Sequence, residues 1–321
     1  VNDQGGVHGR SIELKIIDDQ LKPYKAKEEL EELTLKNDIF AVFSGIGSKT
    51  HQAVYPLLKQ QRLPSFFVGS DLPEWTQPIR ANVFGFMPTA ETEARVIGKY
   101  ITEKHTGKEF IIWYPEKPVY QRAVKVLTKE LYSVSAKLLP GKAGRLSAEW
   151  QLIRKNNPDF LVVLGNYTDV MNFLKFSPQI NIPMLTGHAL ADSRLPEWLG
   201  QKVSERVRVL TAYPLKIETE HPGQILHKLI LSEYAPNLAL NRWTLYGHAV
   251  AELMVEVLNR TGRFLSRQKA VSAAESITNW QGKLLPPVYL DSRNHLALTT
   301  FRVSRITYGR VSHLSGWIDG K

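Results

Sequence analysis

The sequence predicts an α/β protein of two lobes, each a parallel sheet with helices on both faces. Three observations carry this. Short β-branched or aromatic runs alternate with amphipathic helical stretches from residue 11 to residue 214. The alternation comes in two series, with a fresh start near residue 106. With 43% hydrophobic residues over 321 positions, the chain can bury one large core or two medium ones. Strands that alternate with helices pair in parallel, because each crossover helix returns the chain to the same end of the sheet.

The elements follow in order. "SIELKIID" (11–18) alternates and is β-branched, which predicts a strand. The span 24–37 sets Ala26, Leu30, Leu33 and Leu35 among charges, an amphipathic helix. "IFAVFSG" (39–45) reads as a buried strand, 48–62 as a helix, 64–69 as a strand and 89–105 as a helix. The second series opens with "EFIIWY" (109–114), a strand, and a helix over 119–134. A helix over 147–157, a strand at 159–165 and a helix over 167–177 come next. Strands at 183–187 and 206–214 precede long helices near 221–234 and 242–260. The end, 286–306, predicts strands around a turn at Asp291 to Asn294.

Composition removes several classes of function. There is no cysteine, so thiolate zinc sites and disulfide frameworks are excluded. No apolar run reaches the length of a membrane span. The net charge of +10 suggests nucleic acid at first sight. Its lysines are scattered among glutamates 28, 29, 31 and 32, without a basic run, so a solvated surface is expected and no nucleic acid. The chain opens on Val1 without a signal peptide, as a mature form or a fragment does.

"FSGIGSKTHQAV" (43–54) places a glycine turn between a strand and a helix. It is not a phosphate loop, since Gly45 and Gly47 are one residue apart and Ser48 separates Gly47 from Lys49. The turn still presents the N–H groups and positive end of a helix, with the hydroxyls of Ser48 and Thr50 beside them, a setting for a carboxylate or hydroxyl. Ligands of open α/β sheets bind where strands end, so each such turn is a candidate. Aromatics collect there: Phe67, Trp113, Tyr120, Tyr167 and Tyr213. His188 follows the strand end at Gly187. The nine histidines show no i, i+4 metal pair, no serine sits in a G-x-S-x-G elbow, and no nucleophile–base set stands out. No cofactor, metal or catalytic residue is expected.

The opening "VNDQGGVHGRSIELKIIDDQLKPYKA", with "FAVFSGIGSKTHQAVYPLLKQQRLPSFFVG" and "NVFGFMPTAETEARVIGKYI", resembles the leucine/isoleucine/valine-binding-protein family. These are type I periplasmic solute-binding proteins of ABC transporters. The resemblance covers nearly the whole chain and is most specific in the first hundred residues. It implies two Rossmann-like lobes joined by three hinge strands, closing on a small ligand that is passed to a membrane transporter, in a periplasmic or otherwise extracytoplasmic setting. By that pattern lobe one is 1–105 with 241–297, and lobe two is 106–240 with 298–321. It also implies site residues. Ser48 matches the serine that meets an amino-acid carboxylate, and Gly69 the backbone contact. Asp71 stands where a threonine would be, and His188 where an ammonium-binding glutamate would be. Aromatic contacts map to Tyr120 and to Asn166 or Tyr167.

Two departures shape the expected ligand. A carboxylate at 71 would repel a ligand carboxylate, and a histidine at 188 cannot neutralise an ammonium as a glutamate does. A mostly apolar or aromatic ligand with a hydroxyl or carboxyl handle is therefore expected, a sterol or other lipid being the larger alternative. Thr50 joins Ser48 at the polar end, with Trp113, Phe67 and Tyr213 as apolar walls. A sensor ectodomain is the other use of the same fold. The resemblance also implies that a strand–helix unit of roughly 35–40 residues should precede this opening. Its strand would lie between 11–18 and 39–45 in a 2-1-3 order, so the natural chain is expected to carry it upstream or to fill the slot otherwise. A dimer contact is the other way to cover such an edge.

Overall fold

In a computed structural model of the chain, the described residues are all except 37–38, 133, 143, 177–180, 216–217 and 308–309. The first series runs α1 (Pro23–Lys36), β1 (Val42–Phe43), α2 (Ser48–Gln60), β2 (Ser65–Val68), β3 (Val83–Gly85) and α3 (Ala90–Lys104). The second begins with β4 (Glu109–Pro115), α4 (Pro118–Glu130), β5 (Ser135–Gly141), α5 (Leu146–Asn156), β6 (Phe160–Val163) and α6 (Tyr167–Lys175). It continues with β7 (Met184–Thr186), the short helices α7 (Leu195–Leu199) and α8 (Gln201–Ser204), and β8 (Val207–Thr211). Three helices follow, α9 (Pro222–Tyr234), α10 (Arg242–Thr261) and α11 (Arg267–Glu275). The chain closes with β9 (Thr300–Thr307), β10 (Arg310–His313) and β11 (Ile318–Asp319).

The chain divides into two compact units, Val1–Thr89 with Tyr246–Leu298, and Ala90–Leu245 with Thr299–Lys321. The first division thus falls before α3 rather than after it. Gly98 explains why α3 goes with the second unit: a Cβ there would lie 2.5 Å from Glu130 Cβ, so only glycine lets α4 come this close. Thr102 Oγ1 donates to the Glu130 carbonyl at 2.7 Å, and Arg95 Nε pairs with the Glu130 carboxylate at 3.4 Å.

In the first unit β1, β2 and β3 form a parallel sheet in that order, with Phe43 opposite Phe66 and Val68 opposite Gly85. Phe66, Phe67, Phe84 and Phe86 are fully buried. The Phe66 and Phe84 rings stack at 5.4 Å, and Phe84 stacks on His295 at 4.1 Å. Phe67 is therefore core, not a ligand wall. The expected strand at 11–18 has no assigned secondary structure and joins no ladder among the described residues, and β1 is shorter than 39–45. Before β9 the expected strand region forms three isolated bridges among the described residues, Val288 with Trp280, Asp291 with Asn294 and Leu296 with Gly85.

The second unit holds one sheet in the order β10-β9-β8-β7-β6-β4-β5, with β11 also on β9. Strands β4 to β8 are mutually parallel, and β9 runs antiparallel to β8. The central strands are buried on both faces, as Phe160–Val163 shows at every position, which is why they read as continuous apolar runs. Trp113 packs tilted against Phe173 with ring centroids 4.4 Å apart and donates Nε1–H to Glu149 Oε2 at 2.7 Å. It too is core rather than a wall, and the aromatic ring explains Gly141 on the neighbouring strand: a Cβ there would meet the indole at 2.5 Å.

Candidate functional site

The carboxyl ends of the parallel strands gather the candidates, a separate rim in each unit. In the first unit, β1 is followed by Ser44, whose φ of 50° lies in the left-handed region. Its Oγ is 2.9 Å from the Tyr246 hydroxyl. Gly47, φ 107°, precedes α2; a Cβ there would meet Thr50 Oγ1 at 2.6 Å, so glycine is required. Thr50 donates to the carbonyls of Ile46 and Gly47 at 3.0 and 2.8 Å and is buried. Its hydroxyl proton is spent on the turn.

Ser48 is different. Its Oγ lies 2.7 Å from Ser70 Oγ, at the end of β2. Ser70 Oγ also accepts from Trp75 Nε1–H at 3.1 Å and from Leu72 N–H at 3.2 Å. A hydroxyl oxygen has two lone pairs. Both are taken, so Ser70 gives its proton to Ser48, and the Ser48 proton is not used by this network. Ser48 thus offers a donor at a helix start. Gly69 bonds back to the β1 turn, its N–H to the Gly45 carbonyl at 2.9 Å, and Asp71 is exposed just beyond.

Behind this rim His51 packs edge-on against Trp75 at 4.4 Å. Burial, with Arg80 adding to it, lowers its pKa to about 4, so the ring is neutral. Its Nε2 is buried and has no hydrogen-bond partner among the described residues.

The rim of the second unit carries more of the expected residues. Asn166 caps α6: its Oδ1 accepts from Asp169 N–H at 2.9 Å, in a capping box. Tyr167 is 42% exposed and meets Trp198 edge-on at 5.5 Å, while the Arg194 guanidinium lies 4.9 Å over the same indole. Tyr120 is buried on α4. His188, after β7, is buried, with Nε2 3.3 Å from the Tyr213 hydroxyl after β8. Burial, then the charge of Arg242, lowers its pKa to about 3. The carboxylate beside it, Glu93, turns inward and accepts the His188 backbone N–H on Oε1 at 2.6 Å.

The structure therefore joins His188 with Tyr213 and keeps Asn166 and Tyr167 on the same parallel rim, while Ser48, Gly69 and Asp71 share the rim of the first unit. Reading the sequence missed Tyr246, Glu93 and Trp198, and reached Ser70 only as part of the candidate turn Val68 to Asp71. Only the "GSD" step after β2 hinted at Ser70; the others carry no local signal. Among the described residues no cluster of three or more His, Cys, Asp or Glu is placed to hold a metal ion, and no helix is long and apolar enough to cross a membrane.

A family model described as periplasmic binding protein matches residues 1–310. The chain belongs to this family. Periplasmic binding proteins are solute-binding proteins rather than enzymes as a family. Solved structures share the fold of this one. A valine-bound branched-chain amino acid ABC transporter protein from Thermus thermophilus matches with a TM-score of 0.78 at 17% identity, over 99% of this chain and 88% of that one. A fatty acid ABC transporter substrate-binding protein from Thermomonospora curvata matches with a TM-score of 0.75 at 17% identity, over 99% and 84%. A leucine-binding protein from Thermotoga maritima matches at 0.73 and 17%, over 99% and 91%. No curated protein sequence matches the chain. The architecture is that of the type I periplasmic binding proteins.

Proposed function

We propose that this periplasmic binding protein captures a mostly apolar or aromatic organic molecule with a carboxyl or hydroxyl handle and delivers it to an ABC transporter in the membrane, working outside the cytoplasm. The observation that carries this is the leftover proton of Ser48, a neutral donor at the positive end of α2 that suits a ligand oxygen. The rim of the second unit supports the rest of the reading. His188 is neutral and does not answer an ammonium, whereas Tyr167 and Trp198 offer aromatic surface. The reading favours an organic acid or fatty acid over leucine or valine, although a valine-bound protein and a fatty acid transporter's binding protein both share the fold.

Native mass spectrometry of the purified protein, followed by a thermal-shift panel of leucine, valine, phenylacetate, benzoate and palmitate, tests it. A ligand present at a hundred times its Kd adds about 2.7 kcal/mol to stability. The expected result is a rise in melting temperature with an aromatic or fatty acid and none with the amino acids; the reverse pattern overturns the reading.

A further inference from the structure

The second unit gathers cationic side chains with unfilled donors at the end of its sheet opposite the ligand rim. We propose that Arg208, Arg305 and His105 form a binding site for a doubly charged tetrahedral oxyanion, inorganic phosphate or a phosphate monoester. This goes beyond the ligand reading and does not depend on it.

Strand alternation places the arginines. Side chains of a strand point to opposite faces in turn. Val207 and Val209 of β8 and Ile306 of β9 join the core on the face covered by α5, α6 and α7. Arg208 and Arg305 therefore point to the other face, where Arg208 adjoins Tyr100 of α3. β8 and β9 are antiparallel, and their register sets Arg208 directly opposite Arg305. Side chains so opposed have Cβ atoms about 4.5–5.5 Å apart, and like charges there repel. His105 follows the end of α3. Its ring lies 5.0 Å from that of Phe160, and the Arg208 guanidinium carbon lies 4.8 Å over the same ring. Phe160 thus holds His105 and Arg208 together, and the Tyr100 ring meets His105 edge-on at 5.3 Å.

Three nitrogens of this cluster are unanswered. Nε of Arg208, Nε of Arg305 and Nε2 of His105 are buried without a hydrogen-bond partner among the described residues. Buried polar groups are as a rule paired, and leaving one unfilled costs stability. Arg208 Nη1 makes one long bond, 3.4 Å to the Arg206 carbonyl. Among the described residues no carboxylate pairs with either arginine. Those nearby are engaged elsewhere, Glu103 with Lys104 at 2.8 Å, and Asp159 with Lys108 at 3.5 Å and the Glu109 N–H at 2.9 Å. Burial lowers the pKa of Arg208, and the charge of Arg305 adds to this. Burial, then the charges of Arg208 and Lys108, lowers that of His105. The negative end of the α3 dipole lies here and accounts for one cation. It does not account for two opposed guanidinium groups whose Nε–H donors are unfilled.

The donors define the occupant. A guanidinium binds two oxygens of one group through its planar fork. Two of them call for an acceptor with several oxygens and two negative charges. Phosphate or a phosphate monoester meets this at neutral pH, whereas a carboxylate brings a single charge. Both arginines are half-buried, so solvent reaches the pair. Arg208 stands about 16 Å before Tyr213 along the strand direction, which separates this cluster from the ligand rim.

The test titrates the 321-residue protein with inorganic phosphate, against chloride at matched ionic strength. Phosphate at about 20 mM should raise the melting temperature by at least about 3 °C, and chloride should not. Isothermal titration should show saturable binding of a single phosphate. Arg208→Met and Arg305→Met should each weaken phosphate at least about tenfold. In phosphate-free buffer each variant should melt at or above the wild-type temperature, because removing one charge of the pair relieves the repulsion. Glycerol phosphate binding tighter than inorganic phosphate assigns the site to monoesters, and weaker binding assigns it to the free ion. Equal shifts by phosphate and chloride overturn the proposal. So does a lowered melting temperature with unchanged phosphate affinity in both variants, which would give the arginines to the fold alone. Binding to phosphatidylglycerol vesicles without any response to phosphate also overturns it, in favour of a membrane surface. Arg208→Met should keep the wild-type response to the ligand panel, so the two readings fail separately.

Discussion

The Tyr213 hydroxyl lies 3.3 Å from Nε2 of His188, and the two rings meet edge-on at 5.8 Å. The pair joins the ends of the neighbouring parallel strands β8 and β7. Phe301 closes the third side of the imidazole at 6.0 Å. Tyr213→Phe removes the polar partner and keeps the ring. It should cost about 1–2 kcal/mol by urea denaturation.

Acid should unfold this protein earlier than its surface carboxylates alone would. His188 and His51 have folded pKa values lowered from 6.5 to about 3 and about 4. Between those values and 6.5 the unfolded chain binds protons that the folded chain does not, so stability falls as pH falls. Each histidine contributes up to about 1.4 kcal/mol per pH unit in its window, and the contribution is complete above pH 6.5. Denaturation midpoints between pH 7.5 and 4.5 check this, and His51→Gln should flatten the dependence.

Glu149 accepts Trp113 Nε1–H on one oxygen and the Lys142 N–H on the other, both at short distance. Glu149→Leu strips two donors of their acceptor and should destabilise by about 2–4 kcal/mol. Gly141→Ala pushes a methyl into the same indole and should cost about 1–3 kcal/mol. Tryptophan fluorescence during guanidinium unfolding reports both.

Asn166→Ala removes the cap of α6. The expected loss is about 1 kcal/mol, measured by thermal or urea denaturation. Asn166→Asp should retain most of the stability, because aspartate caps as well.

Ser48→Ala should weaken an oxygen-bearing ligand by about 1 kcal/mol, read by isothermal titration, and cost about 1 kcal/mol in stability because the buried Ser70 proton loses its acceptor. Ser70→Ala leaves Trp75 Nε1–H without its acceptor, so stability falls as well. Equal ligand affinity in wild type and Ser48→Ala would take Ser48 out of the site.

The parts of the fold that could be read locally are the central strands. "FLVV" at β6 and "FIIWY" in β4 are apolar at every position because helices cover both faces. β5 escaped notice because "SAKLLPG" contains proline and glycine and lies at the sheet edge, where only pairing with β4 makes it a strand. "SIELKIID" has the alternation of a strand, yet without a neighbour to bond it forms no ladder. Thr50 and Ser48 are alike in sequence, two hydroxyls in one turn. The handedness of the turn at Gly47 directs one inward to carbonyls, while Ser70 orients the other.

The sequence by itself determined the α/β alternation, its two series, the family resemblance and the absence of thiol chemistry. These depend on residue type and spacing, which a chain carries unfolded or folded. Tertiary structure alone decided that Trp113 and Phe67 serve the core, that His188 is neutral, that Ser48 keeps a proton and that β1 ends its sheet. Burial, lone-pair occupancy and strand pairing are relations between residues far apart in the chain, and no local pattern records them.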